Sequence, residues 1–287
     1  MILLTINDLS AEALAEILVL SEAKELGKPL AGQGVALVFE KPSARTRNSM
    51  EMAVVQLGGH PVYIQGDEVG IGKRETPEDV ARTLACYHSI IAARVKDHRL
   101  LEAMAAATDK PVLNMLSDTD HPLQALADLL TIKQVLGRLD GARVAYVGDG
   151  NNNVARSLAQ ACSLAGAELT IASPDAYRLA HLPHIRHVAD PGAAVTGADI
   201  VYTDVWISMG QDAEAAARRE ALKDYQVDAE LMSAAPNAWF MHCLPANRGE
   251  EVTNDIIDGP RSAVWKQAEN RMHSARGALA WLMGVRP

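Results

Sequence analysis

A basic, hydroxyl-rich turn is the first part of this sequence with the residue types for chemistry. Residues 40–47 read Glu-Lys-Pro-Ser-Ala-Arg-Thr-Arg, between the apolar run 35–39 and a segment with helical spacing. Backbone N–H groups at a helix start lack intrahelical partners and carry partial positive charge, so they bind anions. The hydroxyls of Ser43 and Thr46 and the guanidinium of Arg45 add donors that match phosphate oxygens. The turn therefore predicts a phosphate site, against the plainer interpretation of a capped helix with a solvated basic turn.

Further polar residues follow other apolar runs of the same half. Arg94 lies near the end of the run 89–95, and His121 and Gln124 stand at the start of a long helical pattern. A single histidine at a helix start is more often a cap or a surface residue than a catalyst. Together with the basic turn, however, these residues describe one pocket that could hold a phosphate beside a polarised carbonyl group.

The second half contains a glycine- and asparagine-rich turn. Residues 148–153 read Gly-Asp-Gly-Asn-Asn-Asn, between a strand pattern and a helical one. The turn resembles the start of the dinucleotide motif G-x-G-x-x-G but has Asn153 in place of the third glycine. Asp175, in a Ser-Pro-Asp loop, is the one stand-in for the ribose-binding acid. The alternative is that asparagine amides such as that of Asn152 donate to a small carboxylate.

Two further strand ends carry acidic and sulfur groups. Asp204 could accept an ammonium group, although a strand-terminal aspartate often only caps a loop. Cys243 could act as a nucleophile or as a proton acceptor. His242 precedes it, but neighbouring strand residues point to opposite faces, so adjacency alone does not make a Cys–His pair.

The elements that must position these groups alternate between strand and helix. Patterns typical of helices and of short buried strands follow one another along nearly the whole chain. This alternation predicts an α/β protein of two doubly wound domains, each a parallel sheet with helices on both faces, joined by interdomain helices. In such sheets ligands collect at the carboxyl ends of the strands. We place the domains at residues 1–136 and 137–266, and expect a C-terminal helix, 267–287, to pack back on the first.

The amino-acid composition argues against some classes of binding partner. The 287 residues are 48% hydrophobic and carry a net charge of −9, which is typical of a globular protein and unfavourable for nucleic acid binding. We predict no nucleic acid partner, no membrane span and no signal peptide. Three widely spaced cysteines indicate a reducing cytoplasm and form neither a disulfide framework nor a zinc pattern. We expect Cys86 and Cys162, which fall on helical stripes, to be core residues.

The motifs in their order resemble those of the carbamoyltransferases. Residues 39–47 are similar to the carbamoyl phosphate motif of that family, and His-Pro-Leu-Gln at 121–124 is similar to its second motif. The stretches 204–210 and 242–245 resemble signatures of the ornithine branch, which the aspartate enzymes lack. The turn at 148–152 and Ala-Glu-Asn-Arg at 268–271 also match that branch. The similarity spans essentially the whole chain.

The resemblance implies a role for each matching residue. The phosphate of carbamoyl phosphate would be bound by Ser43, Ala44, Arg45 and Thr46. Its carbamoyl group and nearby oxygens would be held by Arg94, His121, Gln124 and Arg271. The amino-acid end of ornithine would be bound by Asn152, Asp204, Ser208 and Met209. Cys243 and Leu244 would lie beside its δ-amine. The residues implied in catalysis are Arg94, His121, Asp204 and Cys243.

The resemblance also implies a reaction and an assembly. The reaction is carbamoyl transfer from carbamoyl phosphate to the δ-amine of L-ornithine, giving L-citrulline and phosphate with no metal and no cofactor. The assembly is a homotrimer, or a multiple of trimers, whose active sites are shared: a loop at about residues 70–75 completes a neighbouring site. Some members have Gln where this chain has Gly70, and Thr is common at the position of Ala44.

Three other interpretations stay open at this point. The acceptor could be another amine, such as putrescine or N-acetylornithine. The turn at 148–153 leaves room for an NAD-linked oxidoreductase. A non-enzymatic homologue could serve as a binding or regulatory subunit.

Overall fold

The chain folds into two compact units. The structure, a computed structural model, describes residues 1–179, 185–207 and 212–287. The first unit comprises Met1–Ala127 with Glu269–Pro287, and the second comprises Asp128–Ala268. Each unit is built on one five-stranded sheet in which every pair of neighbouring strands is parallel. The predicted α/β class, with two parallel sheets, is therefore confirmed.

The sheet of the first unit has the order β1-β5-β4-β2-β3. Its strands are β1 (Ile2–Leu3), β2 (Gly34–Phe39), β3 (His60–Gln65), β4 (His88–Arg94) and β5 (Val112–Leu116). Its helices are α1 (Ala11–Glu22), α2 (Ala44–Gln56), α3 (Gly66–Val69), α4 (Pro77–Ala85), α5 (His98–Ala106) and the first part of α6 (Pro122–Leu136). Strand β2 and most of β4 are buried, as the continuous apolar runs predict for the centre of a parallel sheet.

The strand order places helices on both faces of this sheet. The chain moves outward from β2 through α2 to β3, and then back past β2 through α4 to β4 and through α5 to β5. Because such crossovers are right-handed, a reversal of direction puts α2 on one face and α4 and α5 on the other. The reversal falls between β2 and β4, and a crevice at the carboxyl ends of strands is expected at that point.

The second unit repeats this plan, with sheet order β10-β9-β6-β7-β8. Its strands are β6 (Arg143–Val147), β7 (Glu168–Ala172), β8 (Ile185–Val188), β9 (Ile200–Thr203) and β10 (Trp239–His242). Its helices are α7 (Asn153–Ala165), α8 (Pro191–Val195), α9 (Ala215–Leu222), α10 (Ala229–Ser233) and α11 (Asn254–Ile257). The reversal here falls between β6 and β9, whose ends pair at Val147 and Thr203.

Two helices carry the chain from one unit to the other. The division falls between Ala127 and Asp128 within α6, and between Ala268 and Glu269 within α12 (Val264–Leu282). Within the first unit, the C-terminal segment contacts α1: the Trp281 indole N–H donates to Glu16 at 2.8 Å. The chain thus passes between the units without an irregular linker.

Local sequence signals explain where several helices begin and end. Ser43 and Asn152 cap α2 and α7 by accepting backbone N–H groups of the first turn. Pro77 opens α4, as expected of a residue that has no N–H to leave unpaired. Ser10 likewise caps α1 by accepting the Ala13 N–H, and that helix ends at Glu22.

The strand β8 and the short helices α8 to α11 were not predicted. Each has five residues or fewer except α9, which is too short for a hydrophobic stripe to stand out. Cys162 is buried as predicted, whereas the prediction for Cys86 is wrong: it follows the last turn of α4 and is exposed. Among the described residues, no helix is both long and apolar enough to cross a membrane.

Candidate active site

The first group of predicted residues gathers at the carboxyl ends of β2, β4 and β5. Phe39 of β2 is in register with Arg94 of β4, and Arg94 in turn with Leu116 of β5. The basic turn after β2 therefore leaves the sheet beside Arg94. The loop after β5 leads to His121 and α6.

Thr46 is the centre of a hydrogen-bond cluster in this unit. Its hydroxyl oxygen accepts from Arg94 Nη1 at 3.3 Å and from Arg271 Nη2 at 3.0 Å. The Ser43 hydroxyl donates to it at 3.2 Å. Arg271 Nη1 donates to the side-chain oxygen of Gln124. The structure thus brings together predicted residues that are distant in sequence, with Arg271 supplied by α12.

The cluster is buried and rich in positive charge. Burial, followed by the charges of Arg271 and Arg45, lowers the pKa of the Arg94 guanidinium to about 10. Burial, followed by the charges of Arg271 and Arg94, holds the pKa of His121 well below its usual range, so the imidazole is neutral at pH 7. Arg94 Nε is buried and has no hydrogen-bond partner within the described ranges 1–179, 185–207 and 212–287. Like charges held together in this way create a site for an anion.

The helix start beside this cluster is open to solvent. Ser43 accepts the Thr46 N–H as the cap of α2 at 3.4 Å, while Ala44 and Arg45 are exposed. Arg45 lies close enough to Arg94 for its charge to depress the pKa of that group. The neighbouring Arg47 is engaged elsewhere, because it pairs with Glu51 at 2.8 Å and stacks over Tyr63.

In the second unit, the turn after β6 places Asn152 at the start of α7. Its side-chain oxygen accepts the Ala155 N–H at 2.8 Å, and its amide nitrogen donates to Tyr146 Oη and to the Asp149 carbonyl, both at 3.0 Å. Both amide hydrogens are therefore already donated. The expectation that Asn152 donates them to a carboxylate is wrong for this arrangement, and its oxygen is the atom with a remaining lone pair.

The two glycines of this turn serve internal packing. A Cβ on Gly148 would lie 3.3 Å from the Trp206 indole nitrogen, and one on Gly150 would lie 2.8 Å from Ile171. In a dinucleotide site these positions stay bare so that a pyrophosphate can approach. Asp175, the predicted ribose acid, lies in an exposed turn with its side chain 91% accessible. The oxidoreductase interpretation therefore finds no geometric support in the described part of the chain.

Asp204 and Cys243 meet beyond the ends of β9 and β10. The Cys243 thiol donates to Asp204 Oδ1 at 3.1 Å, and both residues are buried. Burial raises the pKa of Asp204, although the nearby His242 and the Cys243 hydrogen bond act in the opposite direction. The pair thus offers a negative charge and a thiol at the carboxyl edge of the sheet.

Both ring nitrogens of His242 have hydrogen-bond partners other than the thiol. Its Nδ1 accepts the Leu244 N–H at 2.9 Å, and its Nε2 pairs with the buried Glu251 at 3.1 Å. Ligand-type atoms of Asp204, His242 and Cys243 lie within 4.8 Å of one another, which is close enough to hold a metal ion. A metal there would have to displace one of the two ring partners of His242.

Two predicted site residues are not described by the structure, and several residues near the site were not predicted. Ser208 and Met209, predicted to bind ornithine, lie outside the described residues. The structure adds Tyr146, Glu251 and the ion pair of Arg218 with Asp149, none of which the sequence indicated. Apolar spacing carries no signal for a polar partner that a fold brings in from a distant loop.

The protein has two doubly wound units. The first carries a buried cationic cluster, and the second carries a buried acid and a thiol at the carboxyl ends of its strands. Such an arrangement is typical of a ligand-binding α/β protein. Its sequence matches two family descriptions. Residues 2–134 match the carbamoyl-P binding domain of aspartate/ornithine carbamoyltransferase, and residues 140–282 match its Asp/Orn binding domain. The chain belongs to the aspartate/ornithine carbamoyltransferase family.

Individual relatives are similar over nearly the full length. An ornithine carbamoyltransferase of Hyperthermus butylicus is 48% identical, over 98% of this chain and 96% of that protein. An anabolic ornithine carbamoyltransferase of Pyrococcus furiosus is 44% identical over the same shares. The solved ornithine carbamoyltransferase of Pyrococcus furiosus has a TM-score of 0.93, covering 98% of this chain and 96% of that one at 43% identity. That of Thermus thermophilus has a TM-score of 0.91, with 98% of each chain covered and 43% identity.

Proposed function

We propose that this protein transfers the carbamoyl group of carbamoyl phosphate to the δ-amine of L-ornithine, forming L-citrulline and phosphate. The observation that carries the proposal is the buried cluster of Arg94, Arg271 and His121 around Thr46. Burial, followed by the charges of Arg271 and Arg45, lowers the pKa of Arg94 to about 10, and a bound phosphate dianion would offset the repulsion among these cations. The names of relatives at 44–48% identity support ornithine as acceptor, and one of them supports citrulline formation as the direction.

Carbamoyl phosphate is assigned to the first unit. Its phosphate is bound by the N–H groups at the start of α2 with Ser43, Ala44, Arg45 and Thr46. Its carbamoyl group is held by Arg94, His121, Gln124 and Arg271. The open helix start suits the charged phosphate, because Ala44 and Arg45 are exposed there and the start of a helix attracts anions. The neutral His121 suits the carbonyl oxygen, since a neutral imidazole can donate one hydrogen bond.

Ornithine is assigned to the second unit. Asp204 accepts the α-ammonium group, aided by the oxygen of Asn152, and Cys243 and Leu244 lie beside the δ-amine. Ser208 and Met209 belong to this assignment by family resemblance. The buried carboxylate of Asp204 supports it, because a desolvated negative charge gains most from a bound cation.

The transfer itself is written with the two substrates and the side chains of this protein. The neutral δ-amine attacks the carbonyl carbon, and Arg94, His121 and Thr46 stabilise the negative charge that grows on the carbonyl oxygen. The C–O bond to phosphate then breaks, and the departing phosphate takes a proton from the attacking nitrogen. A free amine of this type has a pKa of about 10.4, so the δ-ammonium must first lose a proton. We assign the acceptance of that proton to the pair of Asp204 and Cys243.

A substrate panel tests the acceptor directly. Citrulline is measured colorimetrically with carbamoyl phosphate and ornithine, and the carbamoylated products of putrescine and N-acetylornithine are measured in parallel. We expect ornithine to be preferred, because putrescine has no α-ammonium group beside an α-carboxylate, and Asp204 with the Asn152 oxygen is assigned to that ammonium group. A preference for putrescine would replace ornithine in the proposal, and no product with any amine would overturn carbamoyl transfer.

The assembly proposed is a homotrimer, or a multiple of trimers, acting in the cytoplasm. The loop at 70–75 would complete a neighbouring site. Arg74 on this loop pairs with Glu75 at 3.4 Å and has a side chain 63% exposed, so it lies at a surface that another copy could contact. The exposed Met52 and Val55 on α2 supply apolar surface for such a contact. All three cysteines are free thiols, in keeping with a reducing compartment.

Replacing Cys243 by alanine separates two roles for the thiol. If Cys243 positions the amine, Cys243→Ala lowers turnover by about ten- to a hundredfold, as expected for one proton-accepting or orienting group. The affinity for carbamoyl phosphate, measured by calorimetry, stays within twofold of wild type. A carbamoyl thioester on Cys243, trapped and seen by mass spectrometry, would instead make the thiol a nucleophile. Cys86→Ala is the matched control, because that thiol is exposed.

A further inference from the structure

A buried ion pair links helix α9 to the turn after β6 in the second unit. Arg218 on α9 has a side chain only 8% exposed, and that of Asp149 is fully buried. Arg218 Nη1 donates to Asp149 Oδ2 at 2.8 Å and to the Trp206 carbonyl at 3.1 Å. Asp149 lies in the turn after β6, and Trp206 lies just beyond β9. One guanidinium nitrogen therefore ties together the ends of two neighbouring strands.

Asp149 connects this ion pair to Asn152. Its other carboxylate oxygen accepts the Asn151 N–H at 3.0 Å, and its backbone carbonyl accepts the Asn152 amide at 3.0 Å. Asp204, two residues before Trp206, lies on the other strand end that Arg218 holds. The guanidinium is thus linked to Asn152 through Asp149, and to Asp204 through the short stretch of backbone that ends at Trp206.

The ion pair is poorly explained as a device for stability. Burial raises the pKa of Asp149, with Arg218 opposing, which shows that the carboxylate is held in an unfavourable environment. Buried pairs of this kind are often no more stabilising than apolar residues of the same size. The guanidinium is also fixed in orientation, since it lies 4.8 Å from the centre of the Tyr177 ring. Because the ion pair is buried and rigid but adds little stability, we interpret it by the positions in which it holds the two strand ends.

We propose that Arg218 is a positioning residue for the amino-acid acceptor. It sets the separation between the turn that carries Asn152 and the strand end that carries Asp204, and it acts through Asp149 and the Trp206 carbonyl. This inference rests on the proposed function, because it takes ornithine to be the ligand of these two residues. Carbamoyl phosphate is assigned to the other unit, so its binding does not depend on Arg218.

The test is a comparison of Michaelis constants. Arg218→Met is expected to raise the KM for ornithine at least tenfold while the KM for carbamoyl phosphate stays within twofold of wild type. Arg218→Lys keeps the positive charge but lacks the planar guanidinium, so its KM for ornithine is expected to lie between those of the wild type and Arg218→Met. Arg219→Met is the matched control: Arg219 is the next residue of α9, half-exposed and paired with Glu250, and its removal should leave both constants unchanged.

If Arg218→Met folds poorly, the double mutant Asp149→Asn with Arg218→Met provides the test. Asp149→Asn removes the charge that Arg218→Met would leave unpaired. Because both changes break the same contact, the KM for ornithine in the double mutant should be no higher than in the worse single mutant. A lower melting temperature or kcat with an unchanged ornithine KM, in these variants, would show a merely structural role and overturn the inference. Wild-type protein that forms no citrulline would overturn the proposed function itself, and this inference with it.

Discussion

Arg94→Met is expected to reduce kcat/KM for carbamoyl phosphate by about a thousandfold, the scale found when one preorganised donor to a developing oxyanion is lost. Arg94 is 7% exposed and lies at the end of β4, within hydrogen-bond distance of Thr46. With a pKa of about 10, its guanidinium is still charged at neutral pH. We therefore expect this buried cation to stabilise the charge that develops in the transition state.

Arg94→Met is expected to lose activity without losing thermal stability. Burial and the charges of Arg271 and Arg45 lower the pKa of Arg94, so its charged form is destabilised in the folded protein. Replacing it by an apolar side chain should leave the melting temperature unchanged or raise it. Added phosphate should stabilise the wild type much more than the variant, since a ligand stabilises in proportion to its affinity.

The control for this prediction is Arg47→Met. Arg47 belongs to the same basic motif, but it pairs with Glu51 and stacks over Tyr63. We expect its replacement to change kcat/KM by less than threefold. Wild-type kinetics in Arg94→Met, measured over a range of carbamoyl phosphate concentrations, would remove Arg94 from the proposed site.

Asp204→Asn is expected to raise the KM for ornithine by about a hundredfold or more, with the KM for carbamoyl phosphate nearly unchanged. The change removes a negative charge but keeps the size of the side chain and an oxygen near the Cys243 thiol. A charge-assisted contact to an ammonium group made in a buried place is among the stronger polar contacts. Asp175→Asn is the control, because that side chain is 91% exposed in the same unit.

The pH dependence of ornithine binding gives this prediction a second readout. Burial raises the pKa of Asp204 above its usual value, so the carboxylate takes up a proton at a higher pH than an exposed aspartate does. As the pH falls through that raised pKa, the wild-type affinity for ornithine should weaken. Asp204→Asn cannot take up this proton, so its affinity should be lower but flat over the same acid range. An acid limb that persists in the variant would assign the titration to another group.

The chain shows how much a motif in its sequence context can predict. The turn at 43–47 follows an apolar run and begins a helical pattern, and Ser43 indeed caps α2. The alternation of strand and helix predicted the doubly wound class, since parallel strands require long crossovers. Arg271 was linked to this turn by family resemblance alone, because nothing in its helical surroundings indicates contact with a residue that is far away along the chain.

Local sequence could not predict the partners of the candidate site residues. Tyr146 lies inside a strand and reads as an ordinary core residue, yet its hydroxyl accepts the Asn152 amide. This contact and the one to the Asp149 carbonyl use both amide hydrogens of Asn152, so its oxygen is the atom with a lone pair left for a ligand. Glu251 and Arg218 read as surface charges but are buried.

By itself, therefore, the sequence determined the two parallel α/β units, the helix starts and the polar residues at strand ends, because these depend on periodicity and capping among near neighbours. The tertiary structure decided which charges are buried together, which lowers the pKa of Arg94 and raises that of Asp204. It also decided which hydrogen bonds orient each side chain. Those properties depend on distances and desolvation between elements far apart in the chain, and no local pattern encodes them.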